Sequence, residues 1–314
     1  MVTDQPWIVR GRRQGVIDVA VTPESAGWRY SGLRVVSLAA GAEFTTELPG
    51  MEGLVLPLAG GATVRVEAAT DGGAATTFEL TGRRDVFSAI TDFAYLPSGS
   101  RVTLTAPEGG RIAIATARTD TVLPARYGAA SLVAVEVRGA GAMTRQVNAY
   151  CMPGVFDAAR LLVVEVLTPE GNWSSYPPHK HDETTSDECE LEEIYYFEVA
   201  RDGPAYHRVY RSRPDRIIDV CAEVRTGDVV LVPYGYHGPS MAAPGYDLYY
   251  LNVMAGPGER AWRVSFDPAH RWVMDTWQQI APDPRVPLVP AVGSGPSGRV
   301  SDPPASGRSR RENG

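Results

Sequence analysis

Short apolar runs separated by turn residues recur along the whole chain. Valine, isoleucine, leucine and threonine dominate them, and several alternate with polar residues as half-buried β-strands do. The clearest runs are GLVLPLAG (53–60), ATVRVEA (62–68), RVTLTAP (101–107), RIAIATA (111–117), SLVAVEV (131–137) and RLLVVEVL (160–167). Few runs reach helical length, although 267–280 has a helical rhythm. The pattern predicts an all-β chain folded as a sandwich or a barrel.

Two distant segments repeat one arrangement of strands and turns. Residues 94–117 and 229–256 each run from a strand through a Pro-x-Gly turn, a second element and an Ala-Pro turn into another strand. Aligning Leu96 with Val232 places His237 opposite Arg101. The repeat predicts two copies of one β-domain. The second copy alone is chemically equipped, because all five histidines lie in the second half of the chain, at positions 179, 181, 207, 237 and 270.

The end of the chain has a different composition. More than half of residues 291–314 are Gly, Pro or Ser, so the segment buries too little apolar area to offset the entropy of ordering it. We therefore expect a first domain over 1–130 that lacks metal ligands, a metal-binding domain over 131–283, and a disordered tail over 284–314.

Composition and charge exclude several classes of function. The 314 residues are 44% apolar and 21% charged, as in soluble globular proteins, and the net charge of −7 argues against a nucleic-acid surface. No apolar stretch approaches the roughly 18 residues of a membrane helix, and the N-terminus lacks the apolar segment of a signal peptide. Three cysteines without CxxC spacing favour a reduced, cytoplasmic protein.

Histidines at alternate positions form the first part of a candidate metal site. On a strand, His179 and His181 point to the same face, so both can bind one ion while Lys180 points away. His237, after an apolar strand and a Gly-containing turn, is the candidate from a distant strand. We expect His207 to be a cross-strand partner and His270 to lie on a helix surface.

Alternation along LEEIYYF (191–197) selects the carboxylate. It places Glu193 with two aromatic residues on one face, which is the better interior, and Glu192 and Glu198 on the face expected to meet solvent. The acidic residues from Asp182 to Glu190 are expected to form a solvated loop. Three imidazoles and one carboxylate suit Zn, Mn, Fe, Co or Ni, at one divalent transition metal per chain.

The HxH pair, the Glu on the next strand and the later His in a Gly-rich turn resemble the two motifs of cupins. The surrounding residues are more specific. Those within about 145–256 resemble the 5-deoxy-glucuronate isomerases of bacterial myo-inositol catabolism, whereas the likeness over 1–120 is only general. The strings that carry the resemblance are RQVNAY (145–150), GNWSSYPPHKHD (171–182), LEEIYYF (191–197) and YYLNVMAG (249–256).

This resemblance implies a bicupin fold, with two β-barrel or jelly-roll domains and few short helices. It also implies isomerisation of a small anionic sugar acid, 5-deoxy-D-glucuronate, to 5-dehydro-2-deoxy-D-gluconate; assembly into a homo-oligomer stays open. The related 5-keto-4-deoxyuronate isomerases carry a metal on HxH, Glu and His. Carried over, the ligands of a Zn, Mn or Fe ion are His179, His181, Glu193 and His237.

The spacing between the second histidine and the glutamate differs from that in the 5-keto-4-deoxyuronate isomerases. Twelve positions separate His181 from Glu193, against a handful in those relatives, so Glu188, Glu190 and Glu192 remain alternative ligands.

The strand RLLVVEVL suggests a catalytic base. Glu165 is its one carboxylate, and it is expected either to point into the metal pocket as the base or to pair with an arginine such as Arg145. Arg145, Tyr250 and Asn252 are the candidates for substrate binding, and the last two share one face of their strand.

Two other functions are compatible with the same ligands. One is a metal-dependent cupin dioxygenase, and the other is a non-catalytic cupin that binds a sugar acid. The string GNWSSYPPHKHD favours the isomerase, because generic cupins share the ligands but not these neighbours.

Overall fold

The computed structural model describes residues 6–68 and 75–292, and these residues are mainly β-strands. The strands are β1 (Ile8–Val9), β2 (Ile17–Val21), β3 (Ser31–Leu38), β4 (Ala42–Glu47), β5 (Met51–Glu67), β6 (Thr76–Arg83), β7 (Phe93–Leu96), β8 (Arg101–Ala106), β9 (Gly110–Arg118), β10 (Arg126–Gly128), β11 (Ala134–Arg138), β12 (Arg145–Cys151), β13 (Leu162–Thr168), β14 (Trp173–Ser174), β15 (His179–Lys180), β16 (Glu192–Val199), β17 (Ala205–Tyr210), β18 (Asp219–Val224), β19 (Val229–Val232), β20 (Tyr236–Ala242), β21 (Leu248–Ala255) and β22 (Ser265–Phe266).

Helices within residues 6–68 and 75–292 are few and short. They are α1 (Pro23–Ala26), α2 (Val273–Thr276) and three 3₁₀ turns at Ala130–Leu132, Ala200–Asp202 and Trp277–Gln279. The helical rhythm predicted over 267–280 is therefore limited to α2 and the 3₁₀ turn that follows it. The prediction of an all-β chain is confirmed.

The first half of the chain folds into two layers of strands. Strands β10, β7, β5, β9, β3 and β2 form the inner layer in that order. The long strand β5 continues into the outer layer, where its second half pairs with β6 and β8, and β8 pairs with β4. Between the layers lies a closed apolar core that includes Val36, Val55, Val64, Leu104 and Ile112.

The second half repeats this plan. Its inner sheet has the order β1-β19-β16-β21-β13-β12-β11, and its outer sheet has the order β18-β17-β20-β15-β22, with β14 also paired to β20. The inner order β19-β16-β21-β13-β12 matches β7-β5-β9-β3-β2 of the first half strand for strand. Leu96 pairs with Gly53 in the first half, and Val232 pairs with Glu193 in the second. The duplication predicted from the turn patterns is therefore present in the strand order and the register.

The two inner sheets pack against each other. One buried apolar cluster contains Leu33, Leu54 and Ala115 from the first half together with Val163 and Tyr249 from the second. The inner sheet of the second half is consequently covered on both faces, since its other face encloses the core of its own barrel. Burial on both faces explains why β13 and β21 read as nearly continuous apolar runs.

Double coverage also overturns one prediction. Glu192 and Glu198 were expected to face solvent, but they face the first half of the chain. The two carboxylate oxygens of Glu198 accept hydrogen bonds from Arg111 at 3.0 and 2.5 Å. The alternation along β16 does place Glu192 and Glu198 on the face opposite Glu193. That face packs against the first half of the chain instead of meeting solvent.

A pair of equivalent carboxylates joins the two halves reciprocally. Glu52 of β5 accepts hydrogen bonds from the backbone N–H groups of residues 159, 160 and 161 at 2.6–2.8 Å, and from the hydroxyl of Tyr95 at 2.6 Å. Glu192 of β16 accepts from the N–H groups of residues 29, 30 and 31 at 2.7–2.9 Å. Because Leu33 and Val163 occupy equivalent register positions, these two sets of donors correspond residue for residue.

Both ends of the described chain lie against the second half. Strand β1 pairs with β19, so the predicted first domain contributes its first strand to the second sheet. Val289 is 2% exposed and exchanges backbone hydrogen bonds with the Gln146 side chain at 2.7 and 3.0 Å. Within residues 284–292, predicted as the start of a disordered tail, Val286 and Val289 are therefore buried, although five of the nine residues are exposed. The remainder of that predicted tail, 293–314, lies outside the described residues.

We predict that Glu52→Gln destabilises the protein by about 2–4 kcal/mol. The amide would place an N–H group where three backbone N–H groups and a tyrosine hydroxyl need an acceptor, and a buried donor without a partner is unfavourable. Urea unfolding followed by tryptophan fluorescence measures the change. The matched control is Glu43→Gln on the exposed strand β4, and equal stability of the two variants would contradict the prediction.

Candidate metal centre

Three side chains from different strands converge inside the second barrel. His181 follows β15 directly, Glu193 lies on β16, and His237 lies on β20. One oxygen of Glu193, Oε2, lies 2.9 Å from Nε2 of His181 and 3.1 Å from Nε2 of His237. All three side chains are buried, and their ligand atoms are close enough to share one ion. The strand alternation thus placed Glu193 on the correct face.

His179 lies beside these three residues. Its ring centroid is 4.4 Å from that of His237 and 6.3 Å from that of His181. At 9% exposure it is the least buried of the four residues. The structure therefore groups the ligand atoms of three predicted ligands, and the ring of His179 packs against that of His237 at the edge of this group.

Backbone carbonyls orient two of the imidazole rings. Nδ1 of His181 lies 3.0 Å from the carbonyl oxygen of Leu191, and Nδ1 of His237 lies 3.2 Å from that of Gly235. A carbonyl can only accept, so each Nδ1 carries a proton, and whenever the ring is neutral its Nε2 is left with a lone pair that can bind an ion. Metal-binding histidines are oriented in this way. The buried Nε2 of His237 has no hydrogen-bond partner, so the donor set fits a divalent cation.

The pKa shifts of these residues are also compatible with a bound divalent cation. Burial lowers the pKa of His179 well below its usual value, assisted by its two histidine neighbours. Burial alone would raise the pKa of Glu193, but the nearby His237 and His181 outweigh it and hold that pKa below the ordinary range. For His181 burial lowers the pKa, yet its hydrogen bond with Glu193 raises it overall. The site therefore contains an ionised carboxylate beside imidazoles, the protonation state that metal binding requires at Glu193.

The acidic loop after the histidines is only partly solvated. Residues 184–187 are exposed, but Asp182 and Glu188 are buried. The Nζ atom of Lys180, which points away from the histidines as predicted, lies 2.7 Å from Asp182 and 2.9 Å from Glu188. The prediction that the acidic loop is solvated is therefore wrong for Asp182 and Glu188. Both are buried because the buried ammonium group of Lys180 needs counter-ions.

The same contacts account for the alternative ligands. Glu188 binds the Lys180 ammonium, Glu192 binds backbone N–H groups of the first half, and Glu190 is exposed. None of the three lies with the histidines, which leaves Glu193 as the carboxylate of the group.

Glu165 does not reach the metal site. On β13, Val164 and Val166 face the barrel core, whereas Glu165 faces the first half. There it is fully buried, forms an ion pair with Arg83 and accepts a hydrogen bond from the hydroxyl of Tyr249 at 2.8 Å. Of the two outcomes expected for Glu165, the structure therefore shows the ion pair with an arginine, and that arginine is Arg83 rather than Arg145. Sequence alternation cannot distinguish the two faces of a strand that is buried on both.

The three predicted substrate-binding residues lie on the barrel side of the inner sheet. Tyr250 and Asn252 are buried on one face of β21, and the hydroxyl of Tyr250 lies 3.2 Å from Oγ of Ser175. The amide nitrogen of Asn252 has no hydrogen-bond partner. Arg145 stacks on Trp277 at 5.7 Å, and its charge acts on the hydroxyl of Tyr250.

Tyr195 and Ser175 also line this interior and were missed as site residues, whereas His207 is the cross-strand partner that the sequence predicted. Tyr195 shares the face of Glu193, and its hydroxyl lies 3.1 Å from Oγ of Ser175, whose backbone adopts a positive φ of 47°. His207 is bonded across the strands to Ser240 at 2.8 Å, and its ring lies 4.5 Å from that of Tyr195. The face shared with Glu193 could have indicated Tyr195, but no sequence signal marks Ser175.

The remaining histidine lies outside the barrel. His270 precedes α2 and approaches the ring of Tyr176 at 6.4 Å. Together they line a cavity of about 400 Å³ on the outer face of the outer sheet. His270 therefore lies away from the metal group, although in a turn before α2 rather than on a helix surface.

Comparison with solved structures defines the class of protein. An IolB-like protein from Salmonella typhimurium LT2 superposes with a TM-score of 0.78 at 34% identity, covering 85% of this chain and 98% of that one. Oxalate decarboxylase from Lactobacillus farciminis matches with a TM-score of 0.60 at 13% identity, covering 85% and 89%, and shows a shared fold alone. With its duplicated two-layered barrels, the chain is a bicupin.

Sequence comparison narrows the class to one family. The model of the KduI/IolB family matches residues 7–273, and the chain belongs to that family. It is 44% identical to the 5-deoxy-glucuronate isomerase of Geobacillus thermodenitrificans, over 82% of this chain and 91% of the relative. It is 39% identical to the enzyme of that name in Bacillus subtilis strain 168, over 81% and 92%. Among the described residues, no helix has the length and apolar composition needed to cross a lipid bilayer.

We predict that the pair Arg83–Glu165 behaves as a structural unit. Glu165→Leu alone should destabilise the protein by about 3–5 kcal/mol, because it leaves the buried guanidinium without its counter-ion. The double variant Arg83→Met with Glu165→Leu should recover most of that loss, since no charge remains buried. Urea unfolding of the two single variants and the double variant measures the coupling. Additive losses would contradict this account.

Proposed function

We propose that this protein is an aldose–ketose isomerase that converts 5-deoxy-D-glucuronate to 5-dehydro-2-deoxy-D-gluconate. The observation that carries the proposal is 44% identity over 91% of the length of a relative that bears the name of this activity. The histidine–carboxylate group in the second barrel is the proposed site of that activity. We also propose that the enzyme is cytoplasmic, which agrees with its three free cysteines.

We propose His179, His181, Glu193 and His237 as the ligands of one divalent transition metal, with Zn, Mn and Fe as the candidates. When bound, such an ion would act as a Lewis acid towards the oxygens of the reacting carbons. One ion per chain is proposed because, among residues 6–68 and 75–292, the other group of potential ligands surrounds the Lys180 ammonium. In the first barrel, Gly53 occupies the position equivalent to Glu193.

The barrel supplies polar groups suited to a sugar acid. We propose that Tyr250 and Asn252 bind substrate hydroxyls, because Asn252 has an amide nitrogen without a partner. Arg145 supplies positive charge on the same side of the sheet. Burial raises the pKa of Tyr195 well above its usual value, so its phenol stays protonated at neutral pH and can donate a hydrogen bond to a substrate oxygen.

The reaction transfers one hydrogen from C2 to C1 and one proton from the C2 hydroxyl to the C1 oxygen. With Glu165 on the other side of the sheet, no carboxylate on β13 can act as the base at C2. Two routes can carry this hydrogen transfer: an enediol formed by a base at C2, or a direct hydride shift from C2 to C1. Isotope exchange distinguishes them.

Incubating purified protein with 5-deoxy-D-glucuronate and following the product by ¹³C NMR tests the activity. We expect the ketose carbonyl signal to appear. Protein with full metal content that forms no ketose would contradict the proposal. Oxygen uptake with a catechol or flavonol would instead favour the dioxygenase.

Metal content provides a second prediction. Wild-type protein should contain about one transition metal per chain, and His237→Ala or Glu193→Gln should lose most of it, because each change removes a ligand. Elemental analysis after purification without added metal measures this. The control is His270→Ala, which changes a histidine outside the barrel and should retain full occupancy. Full occupancy in His237→Ala would show that the ion is bound elsewhere.

A third prediction concerns the route of the hydrogen. Turnover in D2O should give ketose with deuterium on the carbon that was C1 of the aldose if an enediol forms, because the base would exchange its proton with solvent. Mass spectrometry of the product measures incorporation. Product without deuterium would support direct hydride transfer between the two carbons.

A further inference from the structure

Asp182 connects two of the proposed metal ligands. It follows His181 in the chain and is 4% exposed. Its Oδ2 atom accepts a hydrogen bond from the backbone N–H of Gly235 at 3.0 Å. The carbonyl of the same glycine accepts from Nδ1 of His237 at 3.2 Å. One peptide residue therefore separates the Asp182 carboxylate from the ring that it would orient.

Asp182 is itself held from several sides. Lys180 lies 2.7 Å from its Oδ1, and the hydroxyl of Ser212 lies 2.9 Å from its Oδ2. Arg216 approaches Oδ2 at 3.2 Å, and the backbone N–H of Asp182 donates to Glu188 at 2.7 Å. With this many partners the carboxylate has one accessible orientation, so it can hold Gly235 in a fixed position.

Gly235 can link the Asp182 carboxylate to the His237 ring because its own conformation is restricted. Its φ of 94° is a conformation that other L-residues rarely adopt, and a Cβ atom there would lie 2.6 Å from the carbonyl oxygen of Tyr210. The turn before His237 therefore closes tightly over the neighbouring strand. Its N–H and its carbonyl are both committed, one to Asp182 and the other to His237.

The carboxylates around Lys180 do not form a second cation site. Asp182, Glu183 and Glu188 lie close enough together to suggest one. However, the Lys180 ammonium lies 2.7, 3.0 and 2.9 Å from these three carboxylates and already supplies the positive charge. The cluster is therefore an internal ion network, and its function lies in what it holds in place.

We propose that Asp182 is a positioning residue for the metal centre. It holds His181 through the chain and His237 through Gly235, so that both Nε2 atoms approach Glu193 before an ion arrives. This inference rests on the proposed function, because it needs a metal at these histidines. Groups that orient metal ligands in this way typically alter metal affinity by about 10–100-fold.

Asp182→Asn tests the proposal, with Glu183→Gln as the matched control. Glu183 contacts the same ammonium at 3.0 Å, but its side chain also pairs with Arg213 and reaches no ligand-bearing segment. Both changes remove one negative charge from the same network. We expect Asp182→Asn to weaken Zn²⁺ binding about 10–100-fold in a chelator competition, and Glu183→Gln to stay within about twofold of wild type.

The absorption spectrum of the Co²⁺-loaded protein gives a readout that general destabilisation would not change. We expect altered visible bands in Asp182→Asn and unaltered bands in Glu183→Gln. If Asp182→Asn folds poorly, Ser212→Ala removes one hydrogen bond to the same oxygen without changing charge, and it should weaken Zn²⁺ binding by several-fold.

Wild-type affinity and an unchanged Co²⁺ spectrum in Asp182→Asn, or in Ser212→Ala where that variant replaces it, would overturn the proposal. So would equal weakening by Glu183→Gln, since charge rather than position would then be responsible. Wild-type protein that binds Zn²⁺ but forms no ketose would contradict the proposed function and leave the positioning result standing. Wild-type protein that binds neither Zn²⁺ nor Co²⁺ would overturn the positioning role and the proposed ligand set, whereas the ketose assay tests the isomerase separately.

Discussion

Burial of one sheet on both faces determines the arrangement of the rest of the molecule. The inner sheet of the second half encloses its own barrel on one side and packs against the first half on the other. Every charged residue on its central strands must therefore find a partner within the protein. Glu193 faces the histidines, whereas Glu165 and Glu198 face arginines of the first half. The alternation of a strand thus separates carboxylates that could bind a metal from carboxylates that join the two domains.

This constraint explains which features could be predicted from the sequence. Short Val- and Ile-rich runs and the repeated turns carry local information, so the all-β class and the duplication could be predicted. The grouping of histidines around Glu193 could also be predicted, because HxH spacing and the alternation around Glu193 are local patterns. Glu165 could not be placed correctly. An apolar strand with one carboxylate has the same sequence whether that carboxylate faces the site or another domain, and Arg83 lies 82 positions away.

The loop between the second histidine and Glu193 was misjudged for a related reason. A run of acidic residues is usually solvated, and residues 184–187 are exposed here. The buried members depend on Lys180, which itself is buried because β15 lies between β20 and β22. Only the folded arrangement shows that the lysine pointing away from the histidines becomes the centre of an ion network. The same arrangement links Asp182 to the turn that carries His237.

The reciprocal carboxylates make the two halves mutually dependent. Glu52 satisfies three backbone N–H groups of the second half, and Glu192 satisfies the three equivalent groups of the first. Either half alone would present three donors that have lost their acceptor and an apolar sheet face that has lost its cover. Loss of the first barrel would therefore destabilise the second barrel, which holds the histidines. The stability of the half that holds the histidines therefore depends on the half that has none.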